Sequence, residues 1–226
     1  MSDQPRNLTG LDALQRLKEG NDRFASNVRS LDVLLSHAQR GELAKGQNPF
    51  AIILGCSDSR VPAEMVFDQG FGSLFVIRVA GNIVAPSQIG SIEYAATRYN
   101  TRLVVVMGHT NCGAVNATIE ELRNKQRSPS SNLMSIVQRI APAVATLMDT
   151  PLNDDPEALI KHAVRANIRT ATSHLRHGSA ILEHLIANEG LLVVSAEYSL
   201  ETGKVDFFDL DLNLGEKVAN VERLMS

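Results

Sequence analysis

Long apolar runs are missing from this chain, and so is any excess of basic residues. No segment reaches the ~18 consecutive apolar residues that a membrane-spanning helix needs. The start, MSDQPRNLTG, has no basic stretch followed by an apolar run and does not read as a secretory signal. A soluble cytoplasmic protein is the expectation. Twenty-two lysines and arginines face 25 acids, a formal charge of −3, so no extended basic field exists to neutralise a row of phosphates. Neither nucleic acid nor a membrane is an expected partner. Tryptophan is absent, and the two cysteines, Cys56 and Cys112, stand far apart in sequence. They allow a disulfide or a redox dithiol, but a chain of this size without an export signal more often uses such cysteines for metal or catalysis. No internal repeat or low-complexity tract occurs.

What is present suits one folded unit: 226 residues, 44% of them hydrophobic and 21% charged, are enough for a sizeable core. The expected organisation is a single domain over 1–226, with a helical arm over 1–45 and an α/β core over 46–226. Thr9 is an N-cap for a helix whose apolar stripe runs through Leu11, Leu14, Leu17 and Phe24 and should pack outside the core. A second short helix is expected over Leu31 to Arg40. Strands are predicted at Phe50 to Leu54, Leu74 to Val79, Arg102 to Met107 and Leu191 to Val194. Two of these runs, Phe50 to Leu54 and Leu103 to Met107, are apolar throughout, as strands covered on both faces are. Between them, Ser87 to Tyr99 reads as a helix with Ile89, Ile92, Tyr94 and Ala96 turned inward. Helices follow from Gly113 to about Lys125, then over Leu133 to Met148, Pro156 to His174 and Gly178 to Asn188, with Gln126 to Ser131 a polar loop. A turn at Glu201 to Lys204 leads into an antiparallel edge strand, Val205 to Phe208. The fold class is therefore α/β: a mostly parallel sheet flanked by helices, with ligands expected at the carboxyl ends of the strands.

Cys56 falls just past the first core strand and His109 just past the third, so neighbouring strands would bring both side chains to one sheet edge. Cys112 follows three residues after His109. Zn²⁺ takes such N and S donors at ~2.0 to 2.3 Å in tetrahedral geometry, and three protein ligands leave a fourth position open. Alone, a His-x-x-Cys pair is common by chance and a strand-end cysteine is often just a small core residue. The segment Cys56-Ser-Asp-Ser-Arg-Val-Pro62 adds a carboxylate and a guanidinium beside a candidate ligand. Asp58 would be drawn to a dication, while Arg60 can hold it off through a bidentate pair. A surface turn with one weak salt bridge is the plainer alternative. Among the other histidines, His37, His162, His174, His177 and His184 sit in no motif and read as solvated.

Taken together, Cys56-Ser-Asp-Ser-Arg-Val-Pro62, Leu74-Phe-Val-Ile-Arg78, Gly81-Asn82 and Gly108-His-Thr-Asn-Cys-Gly113 closely resemble the β-class carbonic anhydrases, in particular their plant-like branch. The likeness runs from about Gln47 through Val115 and resumes weakly at Ala196 to Val205, where the family's aspartate after Tyr198 is replaced by Ser199. It implies one Zn²⁺ per subunit on Cys56, His109 and Cys112, with Asp58 either a fourth ligand in a closed state or paired to Arg60 in an open one. It implies hydration of CO₂ to bicarbonate by zinc hydroxide, with Gln47, Phe75, Tyr94, Ala80 and Gly113 at substrate-pocket positions, Ala80 standing where valine is frequent. It implies a homodimer or homotetramer with sites at subunit interfaces and the N-terminal helix laid across the partner. Two thiolates cancel the charge of the ion, so activity should climb toward alkaline pH instead of levelling off near the ~7 of a three-histidine site. Some members frame a regulatory bicarbonate site with a tryptophan, an arginine and a tyrosine. Arg78 and Tyr198 match two of these, but the tryptophan position is Ile53, which implies no such regulation. The rival readings are a non-catalytic zinc staple, an enzyme of the same fold acting on a CO₂-like heterocumulene, and a redox dithiol.

Overall fold

The computed structural model describes residues 8–30, 40–124 and 130–210. The expected helix over Leu31 to Arg40, apart from its final residue, lies outside them, as do His37 and most of the loop from Gln126. The chain opens with α1 (Gly10–Ala25), where the Thr9 hydroxyl accepts the Asp12 N–H as an N-cap should, and a short α2 (Arg40–Leu43). There follow β1 (Ala51–Gly55), α3 (Ala63–Val66), β2 (Leu74–Arg78), a 3₁₀ turn (Ala80–Asn82) and α4 (Pro86–Arg98). Next come β3 (Leu103–His109), α5 (Gly113–Asn124), α6 (Ser131–Met148), α7 (Pro156–His177), α8 (Ala180–Asn188), β4 (Leu192–Tyr198) and β5 (Val205–Phe208).

The strands form one sheet in the order β2-β1-β3-β4-β5, parallel throughout except for the β4–β5 pair. Both β1 and β3 are fully buried, which is why their sequences are continuously apolar. Alternation along the strands divides the core in two. Ile52, Leu54, Val104 and Val106 face α4 to α8, whereas Ile53, Val105 and Met107 face α1 and α3. Because β1 has β2 on one side and β3 on the other, its carboxyl end is a switch point, where α/β sheets open a crevice for ligands.

Two expectations about facing need correction. Leu14 and Leu17, with Ala13, share a core cluster with Phe67 and Val105 of this chain, so the buried part of the α1 stripe lies on the core of its own subunit and not outside it. The approach is close: a side chain at Gly20 would strike the Phe67 main-chain oxygen. Leu11 is left 47% exposed. Tyr94 is 52% exposed and not inward, since a step of two residues from buried Ile92 carries it about 200° around the helix. Strand β4 also continues past Val194 to Tyr198, with Ser195 and Glu197 buried in it. None of the described helices is long and apolar enough to cross a membrane.

Candidate metal centre

Strand register sets the first distance in the site. Gly55 pairs with Met107, so Cys56, the next residue, stands beside the end of β3, where His109 is the last residue. Asn111, with φ of 55°, turns the chain sharply after His109, and Cys112 comes back at the start of α5. The donor atoms of Cys56, His109 and Cys112 all lie within 4.8 Å of one another, and all three residues are buried. Zn–S bonds of ~2.3 Å in a tetrahedron would place two sulfurs about 3.8 Å apart, so the cluster fits that ion with little adjustment.

The surroundings favour a cation. His109 Nδ1 lies 3.0 Å from the Thr110 carbonyl oxygen. A proton there leaves the lone pair on Nε2, which is buried and meets no donor. The Gly81 N–H donates to Cys56 Sγ at 3.4 Å. Gly81 has φ of 69°, and a side chain on it would collide with Ile140. A hydrogen bond with Cys112 holds the Cys56 thiol well below the ordinary range against the opposing effect of burial, with His109 and the N–H groups of Asp58 and Gly81 adding to it. The same hydrogen bond, burial and the Cys56 charge push Cys112 up. Burial works against protonation of His109, but the Cys56 sulfur and the Thr110 carbonyl outweigh it and the net direction is upward. The two thiols thus share a hydrogen bond that favours the charge of one at the expense of the other.

Asp58 points toward this cluster, its Oδ2 lying 3.8 Å from His109 Nε2, but its carboxylate is occupied. Arg60 donates from Nε to Oδ1 at 2.9 Å and from Nη2 to Oδ2 at 2.7 Å, and its main-chain N–H adds a bond to Oδ1 at 3.0 Å. The Arg60 hydrogen bonds hold the Asp58 carboxyl far below the usual carboxylate range. Arg78, the last residue of β2, donates to the main-chain oxygens of Cys56 (3.0 Å) and Asp58 (2.6 Å). Sequence reasoning did not foresee this clamp, and no spacing rule would reveal it.

The expected pocket residues divide. Ala80 adjoins Gly81, and Gly113 follows Cys112 with open space beside its α-carbon, so both border the cluster. Gln47, Phe75 and Tyr94 do not. Phe75 pairs with Ile52, four residues before Cys56, about 13 Å along the strand at ~3.3 Å per residue. Gln47 precedes β1 and donates to Tyr99 Oη at 2.9 Å, while the rings of Phe75, Tyr94 and Tyr99 lie 5.8 to 6.4 Å apart. Tyr99 was not foreseen as part of that group. Ile53 is fully buried and Tyr198 packs on Phe24 at 6.4 Å. Ser199 Oγ accepts the Thr202 N–H and so closes the turn into β5. Cys56 and Cys112 are free thiols. His162, His174, His177 and His184 are exposed helix residues.

A family model described as carbonic anhydrase matches residues 51–205. Carbonic anhydrase 2 of Mycobacterium tuberculosis is 38% identical over 206 residues, spanning 91% of this chain and 96% of that protein. The carbonic anhydrase of Mycolicibacterium smegmatis is 34% identical over 86% of this chain and 91% of its own. Among solved structures, the β-carbonic anhydrase CcaA superposes with a TM-score of 0.70 at 26% identity, covering 87% of this chain and 95% of that one. One of two tetrameric β-carbonic anhydrases from Sordaria macrospora shares the fold at a TM-score of 0.68 and 21% identity, covering 88% and 98% of the two chains. The family match spans the sheet from β1 to the start of β5, and the relatives align over nearly their whole lengths, so the chain belongs to the carbonic anhydrase family, in its β class.

Proposed function

We propose that this protein catalyses the reversible hydration of CO₂ to bicarbonate and a proton, using one zinc ion per subunit held by Cys56, His109 and Cys112. The observation that carries this reading is the Asp58–Arg60 pair: a carboxylate that could complete the tetrahedron is turned aside by two charge-assisted hydrogen bonds. A purely structural zinc site has its fourth ligand engaged.

Zinc, when bound, supplies the Lewis acid that makes water nucleophilic near neutral pH. Asp58, fixed by Arg60, accepts a hydrogen bond from the attacking water and orients its lone pair toward the carbon of CO₂. Arg78 keeps the backbone of Cys56 and Asp58 in place while this happens. An apolar pocket suits the neutral substrate and disfavours the charged product. Gln47, Phe75 and Tyr94 lie near the amino end of β1, away from the cluster, and we assign them to the pocket of a second copy of the chain. The active unit is then at least a homodimer. Free buried thiols fit a reducing, cytoplasmic setting.

Stopped-flow CO₂ hydration over about pH 6.5 to 9, with zinc content measured on the same sample, tests the reaction against the ~7 expected of a three-histidine site. Activity rising toward alkaline pH with one zinc per chain supports the reading, and a zinc-loaded protein without hydration refutes it. Mixing Gln47→Ala with Cys56→Ser tests the sharing of sites. If two chains complete each pocket, the mixed dimer contains one intact site and regains activity, whereas sites built from one chain stay dead.

A further inference from the structure

A cavity of about 820 Å³ opens beside Arg60. Thr110 and Asn111, from the loop between His109 and Cys112, border it, and so does Glu197 of β4. At ~30 Å³ per molecule the space has room for many waters.

Glu197 is an unusual residue for this position. It is 8% exposed within a strand that is otherwise uncharged, in register with Gly108 of β3 and Asp206 of β5. Its Oε2 accepts from Arg165 Nη1 at 3.1 Å, and the same nitrogen reaches Asp206 Oδ2 at 2.9 Å. Its Oε1 is buried and has no donor. A carboxylate kept only to tie α7 to the sheet would have both oxygens satisfied, because an unmet buried acceptor is costly.

We propose that Glu197 is a proton-transfer residue of the hydration cycle, taking protons from the Arg60 end of this cavity on its carboxylate and releasing them to solvent. The inference rests on the CO₂ hydration reading. Each turnover converts CO₂ and H₂O to bicarbonate and one proton. That proton passes along cavity water to the Glu197 carboxylate, giving the neutral acid, which returns to the carboxylate when a solvent base removes it. Exposed Asp155, Glu157 and Glu201 on the cavity rim offer the exit. The charged groups facing Glu197 are Arg165 and Lys161 on α7 and Asp206 on β5. Burial raises its carboxyl pKa, Arg165 and Lys161 lower it and Asp206 raises it, with a net upward direction that suits a group required to pick up protons.

Glu197→Gln tests this in the zinc-loaded protein. In dilute buffer kcat should fall on the order of tenfold, less than the ~10²-fold or more of a direct acid–base group because buffer also carries protons. The ratio kcat/KM, which ends at bicarbonate formation, should not change, and a small imidazole buffer should restore kcat. Asp206→Asn breaks the exposed half of the same bridge but keeps the Glu197 carboxylate, and should lower kcat far less than Glu197→Gln does. Unchanged kcat in Glu197→Gln, or kcat and kcat/KM falling together, overturns the proposal. If Glu197→Gln does not fold, Glu197→Asp serves, with a smaller loss in kcat alone expected and no loss overturning it. A readout without turnover is the Glu197 carboxyl carbon resonance of glutamate-labelled protein, which should titrate above the ordinary ~4.3. Titration at or below that value also overturns it. A wild-type protein with no hydration at all removes both this inference and the reading beneath it, whereas an active wild type with an unaffected variant removes only the role of Glu197.

Discussion

Arg78 donates through Nη2 to the main-chain oxygen of Asp58 at 2.6 Å, so one aspartate is gripped twice, by Arg78 on its backbone and by Arg60 on its carboxylate. The two grips are separable. With Arg78 intact, removing Arg60 frees only the side chain, whose Oδ2 already lies 3.8 Å from His109 Nε2. Arg60→Ala should therefore keep zinc yet lose hydration by about 10²-fold or more, as a displaced reacting group does. Zinc analysis beside stopped-flow rates decides it, and near-normal turnover would remove Arg60 from the mechanism. Because Arg60 keeps the Asp58 carboxyl far below its usual ~3.9, its charge, and the pairing it provides, persists above that range and is lost only in strong acid. Loss of activity between about pH 8 and 6 should thus follow the attacking water and not Asp58.

Cys56→Ser, His109→Ala and Cys112→Ser should each lose zinc and activity together. Three ligands are the minimum for a tight site, and a serine hydroxyl is a poor donor at neutral pH. Full zinc occupancy in any one variant would show that its residue is not a ligand.

Inhibition by bicarbonate should be hyperbolic. Ile53 is sealed in the core under α1, the Arg78 guanidinium is spent on two carbonyl oxygens, and Tyr198 packs on Phe24, so no donors converge on an anion there. Sigmoidal inhibition at fixed pH would contradict this. Ile53→Trp should not install the site, and overpacking should instead destabilise the fold by about 1–3 kcal/mol.

Leu17→Ala should cost about 2–5 kcal/mol in urea unfolding, because the side chain is fully buried against this chain's own core. Leu11→Ala, at an exposed position, should stay within about 0.5 kcal/mol. If Leu17→Ala cost nothing at protein concentrations that dissociate oligomers, α1 would belong to the partner's core after all.

The stability gap between wild type and Glu197→Gln should depend on pH. The folded-state pKa of Glu197 is raised, so the native protein binds more protons than the unfolded chain from about 4.3 upward. The stabilising contribution is full below that value and is lost as pH rises through the folded pKa. The variant should accordingly gain on the wild type across that window, and urea midpoints at about pH 4 and pH 8 would reveal a flat difference if Glu197 is not perturbed.

The gathering of Cys56, His109 and Cys112 was legible because residue type and strand-end placement are local facts of sequence. Other features depend on what lies across a gap. Only the inward facing of Tyr94 fails, because its angular distance from Ile92 places it on the far side of α4. Leu14 and Leu17 showed that α1 is amphipathic but not whose sheet it covers, since both choices bury the same area. Arg78 as a clamp and Tyr99 as the partner of Gln47 arise from contacts across the fold and have no signature in spacing. Glu197 did leave one, a lone carboxylate between Ala196 and Tyr198 beside an apolar strand, and it was overlooked because that strand was ended too early.

The register that sets Cys56 beside His109 belongs to the sheet, with Leu54 on Val106 and Gly55 on Met107, and owes nothing to an ion. Small zinc modules differ, being unfolded until the metal arrives and gathers their ligands. Here the distance between the donors is stored in backbone hydrogen bonds over a stretch where every side chain is buried. Stripping the metal should then behave as an extraction and not as a denaturation, leaving a folded protein that can be refilled. Soft dications such as Cd²⁺, or tetrahedral Co²⁺, would enter the same cradle, turning a colourless centre into one that can be followed by its spectrum.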